Sequence, residues 1–215
     1  MIITLDGPAG SGKSTTARAL AKKLGGVYLD TGAMYRSVTL LALENGVDPT
    51  DAAKLNAIAN AIVIDFQEAE NGQKVFVNGR DVTAAIRTPE VDANVSAVSA
   101  HPGVREKMVV QQRGIAQKHM TVIVEGRDTG SVVFPNADHK FFLNANPAER
   151  GKRRALQTGQ TADKVQEVAK QIVERDTKDS SRLISPLVVP AGAVEIDNSQ
   201  LNLDETLKKI IQFLA

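Results

Sequence analysis

The sequence contains no cysteine, which removes disulfides, thiolate catalysis and cysteine-ligated zinc together. It has no tryptophan, and aromatic residues make up only 4% of the chain. A base-stacking platform for single-stranded nucleic acid is therefore not expected. There is no excess of charge of one sign: 26 basic against 25 acidic residues leave a net +1. That argues against a broad nucleic-acid surface and still allows a local basic cleft. No run of 18 apolar residues occurs, so no membrane span is expected. The opening MIITLDGPAG has no basic region ahead of an apolar stretch, so no secretory signal is expected, and the expected address is the cytosol. His101, His119 and His139 are far apart in sequence and suggest no ligand cluster. What is there is a chain of 215 residues, 42% hydrophobic and 24% charged. Such a chain is one globular domain, or one domain with a sizeable insertion.

Residues 2–5 form a short apolar run that stops at Asp6-Gly7-Pro8, as a strand entering a loop does. Residues 13–24 place Ala17, Leu20, Ala21 and Leu24 at helical spacing. A second strand over 27–29 and a helix over 33–45 follow, and this alternation implies a parallel sheet with crossover helices. The middle of the chain breaks the pattern. After an alanine-rich helix over 51–61, two Asn-Gly pairs, Asn71-Gly72 and Asn78-Gly79, sit among β-branched and aromatic residues and predict hairpins. A small antiparallel sheet at about 62–86 thus reads as part of an insertion in an α/β chain. Residues 89–118 are helical in composition, with a break at His101-Pro102-Gly103. Strands are expected over 121–124, 140–143 and 193–196, and helices over 147–158, 161–176 and 204–214.

Gly7-Pro8-Ala9-Gly10-Ser11-Gly12-Lys13-Ser14 matches G-x-x-x-x-G-K-[ST] and lies between an expected strand and an expected helix, the context this motif requires. Gly7, Gly10 and Gly12 let the backbone bring its N–H groups onto phosphate oxygens. The helix that follows points its positive end at the same anion. Lys13 adds a full charge that reaches the β- and γ-phosphates, and the Ser14 hydroxyl can ligate Mg²⁺. A dinucleotide site would need G-x-G-x-x-G with an acid such as Asp30 on the ribose; Lys13-Ser14 argue for a nucleoside triphosphate instead.

Three kinds of P-loop protein fit this much: a switch GTPase, an ATP-driven motor and a small-molecule kinase. No Asn-Lys-x-Asp guanine reader occurs; Thr177-Lys178-Asp179 is only a faint echo. No strand ends in the acidic pair that a motor uses to orient water. A kinase needs cationic groups around a second anion site and a cover that excludes water. Arg36, Arg105, Arg127, the basic stretch 150–154, Arg175 and Arg182 are candidates, several of them beside glycine or acidic residues. A nucleotide-binding regulatory protein remains the rival from another class, and uridylate or shikimate kinases are rivals within the kinases.

Five segments narrow the choice: GPAGSGKST at 7–15, LDTGAMYR at 29–36, IRTPEV at 86–91, EGRDTGSVVFP at 125–135 and ERDTKDSSRLISPL at 174–187. In order and spacing they are similar to the motifs of bacterial cytidylate kinases, enzymes of pyrimidine metabolism that move the γ-phosphate of ATP to CMP or dCMP. The resemblance covers essentially the whole chain. It implies an α/β fold of the P-loop NTPase type: a parallel sheet flanked by helices, a small antiparallel β plus helix insertion, and a helical lid. A single kinase domain would comprise a core of 1–50 and 119–215, a monophosphate-binding insertion of about 51–118 and a lid of about 148–165.

The resemblance also implies roles. Gly7, Pro8, Ala9, Gly10, Ser11, Gly12, Lys13, Ser14 and Thr15 would bind ATP, with Mg²⁺ on Ser14. Thr31, Tyr35, Arg36, Ser96, Arg105, Arg127, Asp128, Asp179 and Arg182 would bind CMP. Among these, Arg36 and Arg127 would hold the acceptor phosphate, Ser96, Arg105 and Asp128 the cytosine edge, and Asp179 and Arg182 the sugar. Thr31 stands where the family often has serine, which keeps the hydroxyl. Lys13, Arg127, Arg153, Arg154 and Arg175 would form the catalytic set, with Arg153 and Arg154 on the lid over ATP. The expected partners are these small nucleotides, without nucleic acid or membrane, on a monomer. The residues alone leave humbler roles open. Ser96 can be a helix-surface residue and Asp128 a cap, while Asp179 and Arg182, three apart, can be a weak surface pair.

Overall fold

A computed structural model describes residues 1–69 and 72–214. In chain order the elements are β1 (Ile2–Asp6), α1 (Lys13–Leu24), β2 (Val27–Asp30), α2 (Thr31–Glu44), α3 (Ala52–Ala61), β3 (Ile64–Ala69), β4 (Gly72–Val77), β5 (Arg80–Asp81), α4 (Pro89–Val98), α5 (Pro102–Ala116), β6 (Val122–Gly126), β7 (His139–Asn144), α6 (Pro147–Gln157), α7 (Val165–Ser180), β8 (Val194–Asp197) and α8 (Leu203–Ile211). The chain divides into two compact units, residues 1–28 with 119–215, and residues 29–118.

The first unit holds most of a five-stranded sheet of order β2-β6-β1-β7-β8. β1 lies between β6 and β7 and is parallel to both, with Thr4 opposite Val124 on one side and Lys140 on the other. β7 pairs with β8 in the same sense. Helices cover both faces of such a sheet, so its strands are continuous apolar runs rather than alternating ones, as Ile2–Asp6 and Val122–Gly126 are. Ile3, Leu5, Leu20, Ile123, Phe141, Leu143, Ile196 and Ile210 form one buried cluster in this unit. α1 stops at Gly25, whose left-handed backbone returns its N–H to the carbonyls of Ala21 and Lys22. α8 starts with a reciprocal capping box between Asn202 and Glu205.

In the second unit β3, β4 and β5 form the antiparallel sheet that the Asn-Gly pairs suggested. Val77 pairs with Arg80 across Asn78-Gly79, and both turn residues have positive φ, 48° and 83°. This is the backbone that a two-residue hairpin demands and Asn-Gly supplies. At the other expected turn, Asn71 lies outside the described residues. Pro89 and Pro102 open α4 and α5 at the position where a missing N–H costs nothing.

Two helices differ most from expectation. The helix expected at 161–176 begins with a 3₁₀ turn over Ala162–Lys164 and runs on as α7 to Ser180. The extra turn carries Asp179 on its buried side. The closing helix ends at Ile211 instead of 214, and Leu214 still packs against the core.

Phe141 is buried at the centre of the first unit, with the half-exposed ring of Phe213 edge-on at 6.4 Å. Phe141→Ala is expected to cost about 3–5 kcal/mol through lost burial and the cavity left behind. Phe213→Ala should cost less than about 1.5 kcal/mol. Urea unfolding of both variants checks the order; equal costs would show that the core is centred elsewhere.

Candidate active site

The phosphate loop joins β1 to α1 under tight steric limits. Gly7 has φ of 147°, and a Cβ there would lie 2.0 Å from the carbonyl oxygen of Leu143 on the neighbouring β7. Gly10, with φ of 74°, would put a Cβ 2.8 Å from the carbonyl oxygen of Arg150 on α6. Only glycine allows these approaches. α6 and α7 hold the loop as well. The Arg150 guanidinium donates to the Ala9 carbonyl at 3.0 Å, and the Asp176 carboxylate accepts from the Ala9 N–H at 2.9 Å. Arg150 and Asp176 also pair with each other, so the two grip one residue, Ala9, at both its N–H and its carbonyl. Ala155, Val168 and Ile172 pack between the helices, with Ala9 against them.

Lys13 opens α1, whose first turn carries no acidic residue. Its Nζ donates to the Pro8 carbonyl at 2.6 Å and to Ser11 Oγ at 3.3 Å. Burial, and then the nearby Arg127 guanidinium, lower its pKa from the ordinary lysine value to about 7. The next residue, Ser14, donates its hydroxyl to Glu125 Oε2 at 2.9 Å, and the Tyr28 hydroxyl donates to the other oxygen of the same carboxylate. Glu125 is the penultimate residue of β6, the strand beside β1. A hydroxyl backed by one buried carboxylate fits Mg²⁺, which takes few protein ligands and fills its octahedron with phosphate oxygens and water. Among the described residues, no three acidic or histidine side chains cluster as a metal site of their own.

Asp6, the last residue of β1, accepts from the Thr129 N–H at 2.8 Å, the Thr129 hydroxyl at 2.9 Å and the Gly130 N–H at 2.7 Å. Burial raises its pKa against these hydrogen bonds. This fixes the strand that carries the phosphate loop to the turn that follows Arg127 and Asp128. Asp128 does not cap that turn with its side chain; its carbonyl accepts from Val132 and Val133 instead. The Arg127 Nε donates to Asp179 at 3.2 Å, and the Arg182 Nε donates to the Asp179 carbonyl at 3.1 Å. Arg127, Asp179 and Arg182 therefore stand together. The side chains of Asp179 and Arg182 are 5% and 8% exposed, which makes the pair buried rather than a surface pair. Arg175 is half-buried on α7, one residue before Asp176.

The basic helix α6 splits by position. Arg150 serves the grip on Ala9. Arg153 lies along the phosphate loop, its Nη1 3.6 Å from where a Cβ on Gly12 would sit. Arg154 donates to Gln157 on its own helix.

The second unit holds the remaining candidates. Asp30 caps α2 by accepting from the Ala33 N–H at 2.9 Å, which places Thr31, Tyr35 and Arg36 on the first turns. Arg36 pairs with Asp92 and donates to the Ile86 carbonyl at 3.1 Å. The Arg105 guanidinium lies 5.1 Å above the Tyr35 ring, donates to the Ser99 carbonyl at 3.1 Å and is 3% exposed. Ser96 is half-buried on α4. Tyr35 and Arg105 are thus brought together, and Arg36 sits with Asp92.

Sequence reasoning missed Glu125, Asp6, Asp176 and Asn198. Glu125 went unnoticed because the pattern sought was an acidic pair, and here one carboxylate serves. Each of the others also reaches the site through a partner more than 120 positions away, a contact no local pattern announces.

A phosphate arriving beside Lys13 should restore its ordinary pKa. Binding of ATP is then expected to take up protons above pH 7, and affinity should fall as pH rises from about 7 to 9, by up to tenfold per unit. Calorimetry in buffers of different ionisation enthalpy checks this, with Lys13→Met as the control that abolishes the uptake. Proton-neutral binding at pH 8 would place the phosphates away from Lys13.

The cytidylate kinase family model matches residues 3–215. The cytidylate kinase of Lactobacillus gasseri is 46% identical over 216 aligned residues, 100% of this chain and 94% of that protein. A bifunctional pantoate ligase/cytidylate kinase of Parasynechococcus marenigrum is 46% identical over 98% of this chain, which spans 43% of that longer protein. The crystal structure of a shikimate kinase from Bacteroides thetaiotaomicron has the same fold, with a TM-score of 0.52 at 15% identity over 100% of this chain and 98% of that one. Because the family model spans almost the whole length and near-full-length relatives approach half identity, this chain belongs to the cytidylate kinase family, enzymes of the phosphotransferase class.

Proposed function

We propose that the protein transfers the γ-phosphate of ATP to CMP and to dCMP, giving ADP with CDP or dCDP, by direct in-line attack of the acceptor phosphate. It would do so as a cytosolic monomer acting on free nucleotides. The observation that carries this reading, beyond family membership, is Lys13: a buried ammonium on a glycine loop, hydrogen-bonded among the described residues to neutral oxygens of that loop. Such a group is poised for an anion.

Residues 7–15 would cradle the triphosphate. Ser14, with Glu125 behind it, would hold Mg²⁺, whose charge would offset that of the phosphates. Lys13, Arg127, Arg153, Arg154 and Arg175 would stabilise the transferring group by position and charge; Arg153 is the lid arginine set beside the loop. No general base is required, because a phosphate nucleophile is already ionised near pH 7, with a second pKa of about 6. Water exclusion by α6 and α7 would suppress hydrolysis.

For the acceptor we assign Thr31, Tyr35, Arg36, Ser96, Arg105, Arg127, Asp128, Asp179 and Arg182. Cytosine differs from uracil at its amino group and at N3, an acceptor in cytosine and a donor in uracil. A site that donates to N3 and O2 and accepts from the amino group rejects uracil by leaving polar groups unpaired. The buried Arg105, steadied by the Tyr35 ring and the Ser99 carbonyl, supports this reading.

A panel of acceptors with coupled detection of ADP tests the substrate. CMP and dCMP should lead, UMP should trail, and ATP alone should give almost no turnover; preference for another acceptor would reject the assignment. Arg105→Met is expected to lower kcat/KM for CMP by about 100-fold, on the order of 3 kcal/mol for a charged hydrogen bond lost in a closed site. The preference for CMP over UMP should shrink while ATP affinity holds. An intact preference would move the cytosine site away from Arg105.

A further inference from the structure

Asn198 follows β8 and is buried, 3% exposed. Its backbone N–H donates to the Asn144 carbonyl at 2.8 Å, which fixes the residue to the end of β7. Its side chain then faces two ways. Nδ2 donates to the Ser11 carbonyl of the phosphate loop at 2.9 Å, and Oδ1 accepts from Arg153 Nη1 at 3.0 Å. The Asn198 carbonyl accepts from Arg153 Nη2 at 2.8 Å. The amide can take only this orientation, because a carbonyl demands the donor and a guanidinium the acceptor. Glu149 accepts from Arg153 Nε at 3.1 Å. Three of the five guanidinium hydrogens are thereby engaged, and one remains on each terminal nitrogen, beside Gly12.

We infer that Asn198 is a positioning residue for phosphoryl transfer, which holds Arg153 on the phosphate loop so that its two remaining hydrogens meet the transferred phosphate. The inference rests on the catalytic reading of Arg153 proposed above. The chemistry of the holder matters. An amide and a carbonyl fix the guanidinium in place without neutralising it, and the partly exposed Glu149 lies on the Nε side, away from the terminal nitrogens. The same amide ties the arginine to Ser11, two residues before Lys13, so both cations are referenced to one stretch of backbone. Preorganised charge of this kind acts on the transition state more than on substrate binding.

The test is a double-mutant cycle with Asn198→Ala and Arg153→Met, assayed for steady-state kinetics with ATP and CMP and for thermal unfolding. Asn198→Ala should lower kcat roughly 10-fold and move the KM for CMP by less than about twofold. In the Arg153→Met background it should cause no further loss, because the group it positions is gone. Losses that multiply, or an Asn198→Ala effect confined to KM, would overturn the positioning role while leaving Arg153 in place. A wild-type kcat in Arg153→Met would reject the catalytic reading of Arg153 itself, and the role of Asn198 with it. Asn198→Asp is nearly isosteric and carries the same cycle should the alanine variant not fold. Its carboxylate would neutralise Arg153 and oppose the Ser11 carbonyl, so it should lose at least as much kcat, and full activity would overturn the inference.

Discussion

Lys13 carries an ammonium group out of water and, among the described residues, pairs with no carboxylate. Three carboxylates are near enough to attract it, those of Glu125, Asp176 and Asp6, and each is engaged elsewhere. Glu125 takes the hydroxyls of Ser14 and Tyr28, Asp176 takes Ala9 and Arg150, and Asp6 takes Thr129 and Gly130. The lysine is left with the Pro8 carbonyl and the Ser11 hydroxyl. A direct ion pair would have raised its pKa and closed the site to phosphate; desolvation among neutral acceptors lowers the pKa and keeps the site receptive to an anion. Much of the surrounding architecture follows from this one requirement.

The diverted carboxylates are also the struts of the site. Asp6 joins the end of β1 to the turn after β6, Asp176 joins α7 to the phosphate loop, and Glu125 joins β6 to the start of α1. Each runs from one strand end or helix to another and accepts from backbone N–H groups or hydroxyls, and Asp176 also holds the Arg150 guanidinium. The glycines allow the loop to come within reach of these struts: a side chain at Gly7 or Gly10 would collide with the carbonyls of Leu143 or Arg150. The sequence constraint on the loop is therefore set as much by what surrounds it as by the phosphate.

How much of this could be read in advance depended on the range of the interaction. The strand, loop and first helix were legible because the motif is contiguous and its flanks have clear apolar patterns. The Asn78-Gly79 turn was legible because two consecutive positive φ values admit few residues. Asp179 and Arg182 were visible as a pair three apart, but their burial was not, since it depends on α7 continuing to Ser180 instead of ending near 176. The basic stretch on α6 was visible as charge. Its division of labour was hidden, because positions 150, 153 and 154 face different neighbours only once α7, the phosphate loop and Asn198 are in place. Asn198 gave no signal at all: an asparagine after a strand ordinarily reads as a turn.

Burying Lys13, Arg150 and the Arg182 side chain, with Arg127 and Arg153 half-buried, in one unit has an energetic consequence. Desolvating charge is unfavourable, and even good pairing often only breaks even against apolar packing. The hydrophobic cluster around Phe141 and Leu143 offsets that cost within the same unit. On the reading proposed above, a bound triphosphate would add negative charge beside Lys13, and anything that binds the native state alone stabilises it by mass action. The desolvation that makes Lys13 costly to fold is then the same feature that would favour an anion. Arg153 fits this logic: Glu149 pairs with its Nε, while an amide and a carbonyl, both neutral, hold its terminal nitrogens, so its position is fixed by the protein alone.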